Sequence, residues 1–176
     1  MKYMGIDASS TCTGVAIFED NKLIYHGAIK PPKDLNWRDR ITVEGKEIEN
    51  IIKQYHPSYI YMEDVPLMGK QMSTLVLLGA VQGYILSIAH HYNVPIHFLL
   101  PSQWRSDMGL FDGTKMGTKK DAMKEKAVLT ANEKFGLNLR WVKPKSRLND
   151  DDIAESILIA YSQIKKKGSV MNGWNK

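Results

Sequence analysis

A single cysteine, Cys12, stands among 176 residues, so no intramolecular disulfide can form and no Cys/His spacing suits a zinc site. A reducing, cytoplasmic setting is expected. Long apolar runs are missing as well: the longest, Leu75 to Ala89, is interrupted by Gly79, Gln82, Gly83 and Ser87. It reads as too short and too polar for a membrane span. The N-terminus carries one lysine followed at once by strand-like sequence, without the apolar core of an export signal. Gly69-Lys70 lacks the upstream glycine and the following Ser or Thr of a P-loop. Five histidines, His26, His56, His90, His91 and His97, show no ligand spacing and read as surface or core residues. No internal repeat is visible.

What is present is a surplus of cations. Lys and Arg outnumber Asp and Glu by 24 to 19, and the excess is clustered. Arg140, Lys143, Lys145 and Arg147 form a stretch without an acid. Lys115, Lys119, Lys120, Lys124 and Lys126 crowd another, and Lys165, Lys166, Lys167 and Lys176 make a basic tail. Each cluster alone also suits a solvated face. Together they favour a polyanion such as nucleic acid.

The length fits one domain, 1–176, that buries its own core. Residues 2–8, 13–19 and 22–29 read as three strands of an antiparallel meander, the second pair joined at Asp20-Asn21. Ile41, Ile48, Ile51 and Ile52 give 37–55 a helical period, ended before Pro57. A fourth strand spans 58–63, a long apolar helix 70–92, and a fifth strand 94–100, stopped by Pro101. The glycine-rich 102–118 reads as a mobile loop. Helices at 119–135, ended by Gly136, and 150–166, capped by Asn149 or Asp150, complete the chain. The class is mixed α/β: five strands, the first three antiparallel, flanked by helices.

Acidic residues recur where the chain is otherwise apolar. Asp7 ends the first strand before the small-residue turn Ala8 to Gly14, Glu63 ends the fourth, and Asp150-Asp151-Asp152 opens the last helix. Asp152 and Glu155 are three apart and Asp151 and Glu155 four apart, so either pair shares a helix face bordering the apolar stripe of Ile153, Ile157, Ala160, Tyr161 and Ile164. Asp150 and Asp151 also suit the positive end of the helix. Carboxylates on core elements cost several kcal/mol to bury unless paired or bound to a cation. Hard divalent ions with oxygen ligands supply that cation and a route to phosphodiester hydrolysis.

Three blocks carry a family resemblance: Gly5-Ile6-Asp7 with Thr13-Gly14-Val15-Ala16, Glu63-Asp64-Val65, and Asp152-Ile153-Ala154-Glu155-Ser156-Ile157-Leu158-Ile159-Ala160. In that order and spacing the chain resembles RuvC-type Holliday junction resolvases of the RNase H-like nuclease superfamily. The resemblance implies an RNase H-like fold and a homodimer that cuts branched DNA symmetrically. Asp7, Glu63, Asp152 and Glu155 would bind two Mg²⁺, or Mn²⁺ in their place. Glu155 stands where the family usually has Asp, and Asp151 is open as a sharer of its role. Lys119 or Lys120, with Lys120 favoured, matches the family's basic residue near the scissile phosphate.

The family commonly places a junction-inserting aromatic after the second acid, and here the chain reads Val65-Pro66-Leu67-Met68. Leu67 or Met68 could serve as an apolar wedge, or only pack the helix start. Loss of the aromatic fits a phage-encoded resolvase, working in the bacterial host cytoplasm, with relaxed choice among four-way junctions and forks. Arg105, Lys115, Lys119, Lys143 and Lys145 are the candidate DNA contacts. Among Trp37, Trp104, Trp141 and Trp174, Trp104 beside Arg105 is the one singled out for stacking on DNA. Three rivals stand beside it: an actin-like ATPase, for which the chain is too short, an RNase H-type nuclease acting on RNA–DNA hybrids, and a non-catalytic branched-DNA-binding protein that leaves the acids without a purpose.

Overall fold

The computed structural model describes residues 1–65, 71–111, 113–117 and 119–173, the segment 167–173 by backbone alone. Its elements run β1 (Lys2–Asp7), β2 (Thr13–Glu19), β3 (Lys22–Ile29), α1 (Trp37–Tyr55), β4 (Tyr59–Glu63), α2 (Met72–His91), β5 (Ile96–Leu99), α3 (Pro101–Asp107), α4 (Lys120–Phe135) and α5 (Asp151–Gly173). The five strands form one mixed sheet in the order β3-β2-β1-β4-β5. β1 and β2, and β2 and β3, pair antiparallel. β4 pairs parallel with β1 and β5 parallel with β4. This is the RNase H-like arrangement that the three acidic blocks imply.

Alternation along the strands divides the core into two apolar layers. Ala16, Phe18, Tyr3 and Tyr61 pack with Trp104, Met123, Ile157 and Leu158 under α3, α4 and α5. Met4, Ile6, Val15, Ile17, Ile60 and Met62 pack with Ile48 and Ile52 of α1 and Val81 and Ile85 of α2. β1 and β4 run parallel, with Ile6 beside Met62, so Asp7 and Glu63 emerge at the same edge. In sheets with parallel strands, that carboxyl edge is where sites form.

Two glycines seat α5. A Cβ on Gly14 would lie 1.8 Å from the Asp152 carbonyl oxygen, and one on Gly5 would lie 2.1 Å from that of Ser156. Only a bare backbone on β1 and β2 lets the start of α5 settle directly onto the sheet.

Several expectations are corrected. Residues 101–107 form α3 rather than part of a loop, because Pro101 stands at the helix start and Trp104, Met108 and Leu110 bury apolar surface. Trp104 is fully buried and so has no face to offer a base. Of the two expected caps of α5, Asp150 stands at the N-cap, its carbonyl accepting from Ala154 N, while its Oδ2 accepts from Arg140 N in the preceding loop; Asn149 instead bonds Val142 N and Lys143 O. α2 is, by length and composition, apolar enough to cross a membrane, against the reading of this stretch as too short and polar. It buries only Val81, Ile85, Ile88 and Ala89.

Candidate metal-dependent nuclease site

Asp7 leaves the end of β1, Glu63 the end of β4, and Asp152 and Glu155 the first two turns of α5. One carboxylate oxygen each from Asp7, Asp152 and Glu155 lies within 4.8 Å of the others. With Glu63 they line a cleft of about 500 Å³, together with Asp64, Ser9, Arg105, Lys120 and Lys124. The sequence blocks thus converge on one edge of the sheet.

Two cations hold the acids in register. Arg105 Nη2 donates to Glu155 Oε1 at 2.7 Å and to Glu63 Oε2 at 3.4 Å, linking β4 to α5. Trp104 Nε1 donates to the same Glu63 oxygen at 2.8 Å. On the other side Lys124 Nζ bonds Asp151 and reaches Asp152 Oδ1 at 3.5 Å and Glu155 Oε2 at 3.9 Å. Gln82 Nε2 of α2 donates to the Glu63 carbonyl and fixes the strand end from the opposite layer.

The charges do not balance. Asp7, Glu63, Asp64, Asp151, Asp152 and Glu155 face Arg105, Lys120 and Lys124. Burial, and then the fields of Glu155, Glu63 and Asp152, raise Asp7 well above the usual carboxylate range. Burial opposes the charge on Lys124, but Glu155, Asp152 and Asp151 outweigh it and keep the amine protonated beyond the ordinary lysine range. Burial and the neighbouring Asp152 push the Cys12 thiol up, so it is no nucleophile. An oxygen-only donor set with unspent negative charge fits a hard divalent cation.

The turn after β1 is built by side chains. Ser9 Oγ donates to the Cys12 carbonyl at 2.8 Å and accepts from Cys12 N at 3.1 Å. Ser9 N donates to Thr13 Oγ1, which lies 3.2 Å from Glu44 Oε1 of α1. Glu44 is buried, and burial pushes its carboxyl up to about 7 against the pull of Thr13 and Arg40.

The basic candidates separate. Lys120 lines the cleft, whereas Lys119 sits exposed one residue before it at the N-cap of α4. Arg105 stands among the carboxylates rather than on a loop. Lys115, Lys143 and Lys145 are exposed. Leu67 and Met68 lie outside the described residues, as does Trp174. Lys124 was not singled out, although it is four residues after Lys120 and so on the same face of α4. Asp151, left open, is bound to Lys124.

The family model for the crossover junction endodeoxyribonuclease RuvC matches residues 3–121. The RuvC of Fusobacterium nucleatum is 25% identical over 177 residues, covering 98% of this chain and 84% of the relative. That of Pseudothermotoga lettingae is 28% identical over 138 residues, covering 78% and 75%. Among solved structures, T. thermophilus RuvC in complex with Holliday junction substrate superposes with a TM-score of 0.72 at 18% identity over 96% of both chains. The Fowlpox virus resolvase with Holliday junction DNA gives 0.63 at 15% identity over 95% of this chain and 99% of that one. The family match over most of the chain, on a fold with acids gathered at its carboxyl edge, means that this protein belongs to the RuvC family of crossover junction endodeoxyribonucleases.

Proposed function

We propose that this chain resolves four-way DNA junctions by hydrolysing one phosphodiester in each of two opposed strands, with Asp7, Glu63, Asp152 and Glu155 as ligands of two Mg²⁺ or Mn²⁺ ions per site. The observation that carries the reading is the approach of Asp7, Asp152 and Glu155 oxygens within 4.8 Å from separate core elements. When bound, such ions supply an activated water and neutralise the leaving oxygen. The protein's part is placement. Arg105 and Trp104 aim Glu63 and Glu155, Gly14 lets Asp152 close on β2 beside Asp7, and Lys120 at the cleft rim offers positive charge to the incoming phosphate. Glu155 reaches both Arg105 and Lys124, so its added length relative to Asp is taken up in two ion pairs.

Two strands require two sites, and α2 offers the surface for pairing two copies. Met72, Val76, Gly79, Gly83 and Leu86 recur on one face at spacings of three and four. Met72, Val76 and Leu86 are exposed, and Gly79 and Gly83 have open space above them. Bare glycines amid apolar neighbours permit close approach of a second helix.

The test incubates the protein with labelled four-way junction, fork, linear duplex and RNA–DNA hybrid, each with Mg²⁺ and with EDTA. Paired nicks in the junction, only with metal, are expected, and comparable fork cutting would show the relaxed choice. Cutting of the hybrid alone would make it an RNase H, and tight binding without cutting would make it a junction-binding protein.

A further inference from the structure

Glu44 is a buried acid of α1 that does not line the carboxylate cleft. Thr13, in step with Val15 and Ile17 on β2, points into the α1 layer, where its Oγ1 lies 3.2 Å from Glu44 Oε1. The same hydroxyl clamps the turn after Asp7. It lies 3.0 Å from the Ser9 carbonyl and accepts from the Ser9 amide at 3.3 Å. Ser9, two residues past Asp7, lines the cleft beside it. Thr13 precedes Gly14, which pairs with Asp7 and seats the Asp152 backbone.

The hydrogens at this clamp can be counted, because a hydroxyl has one hydrogen and two lone pairs. With Glu44 ionised, the Ser9 carbonyl and the carboxylate compete for the single Thr13 hydrogen. A buried charge is the stronger acceptor, and the Ser9 carbonyl has no other donor among the described residues. With Glu44 neutral, its own O–H donates to Thr13 Oγ1, the Thr13 hydrogen goes to the Ser9 carbonyl, and the Ser9 amide fills the remaining lone pair. Every group at the clamp is then satisfied. Glu44 Oε2 is buried and accepts no hydrogen bond, which costs less for a neutral carbonyl than for a charged oxygen. Thr13 of β2 and Arg40, which faces the carboxyl from one turn earlier on α1, are the polar and charged groups that act on Glu44, and α2 meets this part of α1 through the Tyr84 ring at Gly45. Thr13 and Arg40 favour the ionised form, but burial outweighs them and brings the carboxyl to about 7.

We propose that Glu44 is a positioning residue for the metal centre: as a neutral acid it donates to Thr13 Oγ1, so that the hydroxyl holds the Ser9 carbonyl and fixes the turn through which Asp7 is presented to the cleft. The proposal rests on the reading of Asp7 as a metal ligand. When Glu44 gives its proton to solvent, the Thr13 hydroxyl turns toward the carboxylate and the Ser9 carbonyl is released. Metal affinity is thereby coupled to an acid in the layer opposite α5.

The experiment titrates Mn²⁺ calorimetrically into wild type and Glu44→Gln from about pH 6 to about pH 8, and follows the Ser9 backbone amide of each by NMR in EDTA over the same range. Gln keeps a donor to Thr13 at every pH, and the metal ligands titrate alike in both proteins, so the ratio of the two Mn²⁺ affinities isolates Glu44. Wild type should match Glu44→Gln at the acid end and bind at least about threefold more weakly than it at the alkaline end. The Ser9 amide should show a transition in wild type that is absent from Glu44→Gln. In a Thr13→Val background, which removes the clamp, Glu44→Gln should leave the pH profile unchanged. In wild type alone, the Glu44 carboxyl carbon and the Ser9 amide should share a midpoint of about 7, a comparison that needs no variant. A role in packing alone would shift urea unfolding and leave the Mn²⁺ profile in place. A flat affinity ratio, a Ser9 amide that titrates identically in both proteins, or separate midpoints in wild type would overturn the proposal. A wild type that binds Mn²⁺ with the expected profile but never cuts a junction would instead overturn the nuclease reading and leave the role of Glu44 standing.

Discussion

Two pairs of glycines, one on the strands under α5 and one on the outer side of α2, play opposite parts. On the α5 face, Gly5 and Gly14 are contact points where a Cβ would strike the backbone of Ser156 or Asp152. On the other side, α2 carries Gly79 and Gly83 with open space above them, amid exposed Met72, Val76 and Leu86. The first pair is finished structure, and it sets the position of the acids to within the length of a side chain. The second pair is open surface, and it is there that the proposed association of two copies would take place.

The largest expected effect lies on the finished face. Asp152→Asn keeps the shape of the α5 start but removes a ligand charge, so junction cleavage in Mg²⁺ should fall by about a thousandfold or more while junction binding in EDTA is retained. Full activity in Asp152→Asn would remove that residue from the site. Next, Gly14→Ala must push α5 away from β2, and we expect a loss on the order of 3 kcal/mol in urea unfolding. Gly79→Ala should be neutral or stabilising by about 0.5–1 kcal/mol, because it adds helix propensity in open space. Equal effects of the two alanines would erase the contrast between the faces.

Association should respond the other way. Val76→Glu places a charge in the α2 stripe and should yield monomers by light scattering with an unchanged circular dichroism spectrum, and it should convert paired nicks to single ones. The same variant left dimeric would move the interface elsewhere.

Smaller effects concern pH. Asp7 and Glu44 are raised in the folded state, so the folded protein holds protons that the unfolded chain has released. Their contribution to stability is present at low pH and fades as pH rises, from about 4.5 to about 7 for Glu44. Glu44→Gln should flatten this decline by roughly 1 to 2 kcal/mol in unfolding free energy measured between pH 5 and 8. Mg²⁺ should raise the melting temperature more at pH 8 than at pH 5, since binding favours the ionised Asp7. An equal rise at both values would separate Asp7 from the metal.

Much of this was legible in the chain. The strands showed as short apolar runs between turn residues, and the acids stood out because each interrupts or ends an apolar stretch. Tertiary facts were less so. Residues 101–107 look polar and irregular, yet a single buried Trp104 turns them into a helix whose Arg105 links Glu63 to Glu155. Lys124 is one of six charged residues from Lys119 to Lys126, and only the approach of α4 to α5 selects it. Asp150 does stand at the N-cap of α5, but its side chain and that of Asn149 bind the preceding loop, because an Asx side chain serves a loop as readily as a helix start.

The most direct test of the central claim is calorimetric titration of Mn²⁺ into wild type and into Asp7→Asn, followed by mapping of cuts in a four-way junction at saturating metal. Two sites in wild type with symmetric paired nicks, and weakened binding with no nicks in Asp7→Asn, are predicted. Undiminished Mn²⁺ binding and cutting in Asp7→Asn would contradict the assignment of the β1, β4 and α5 carboxylates as the metal centre.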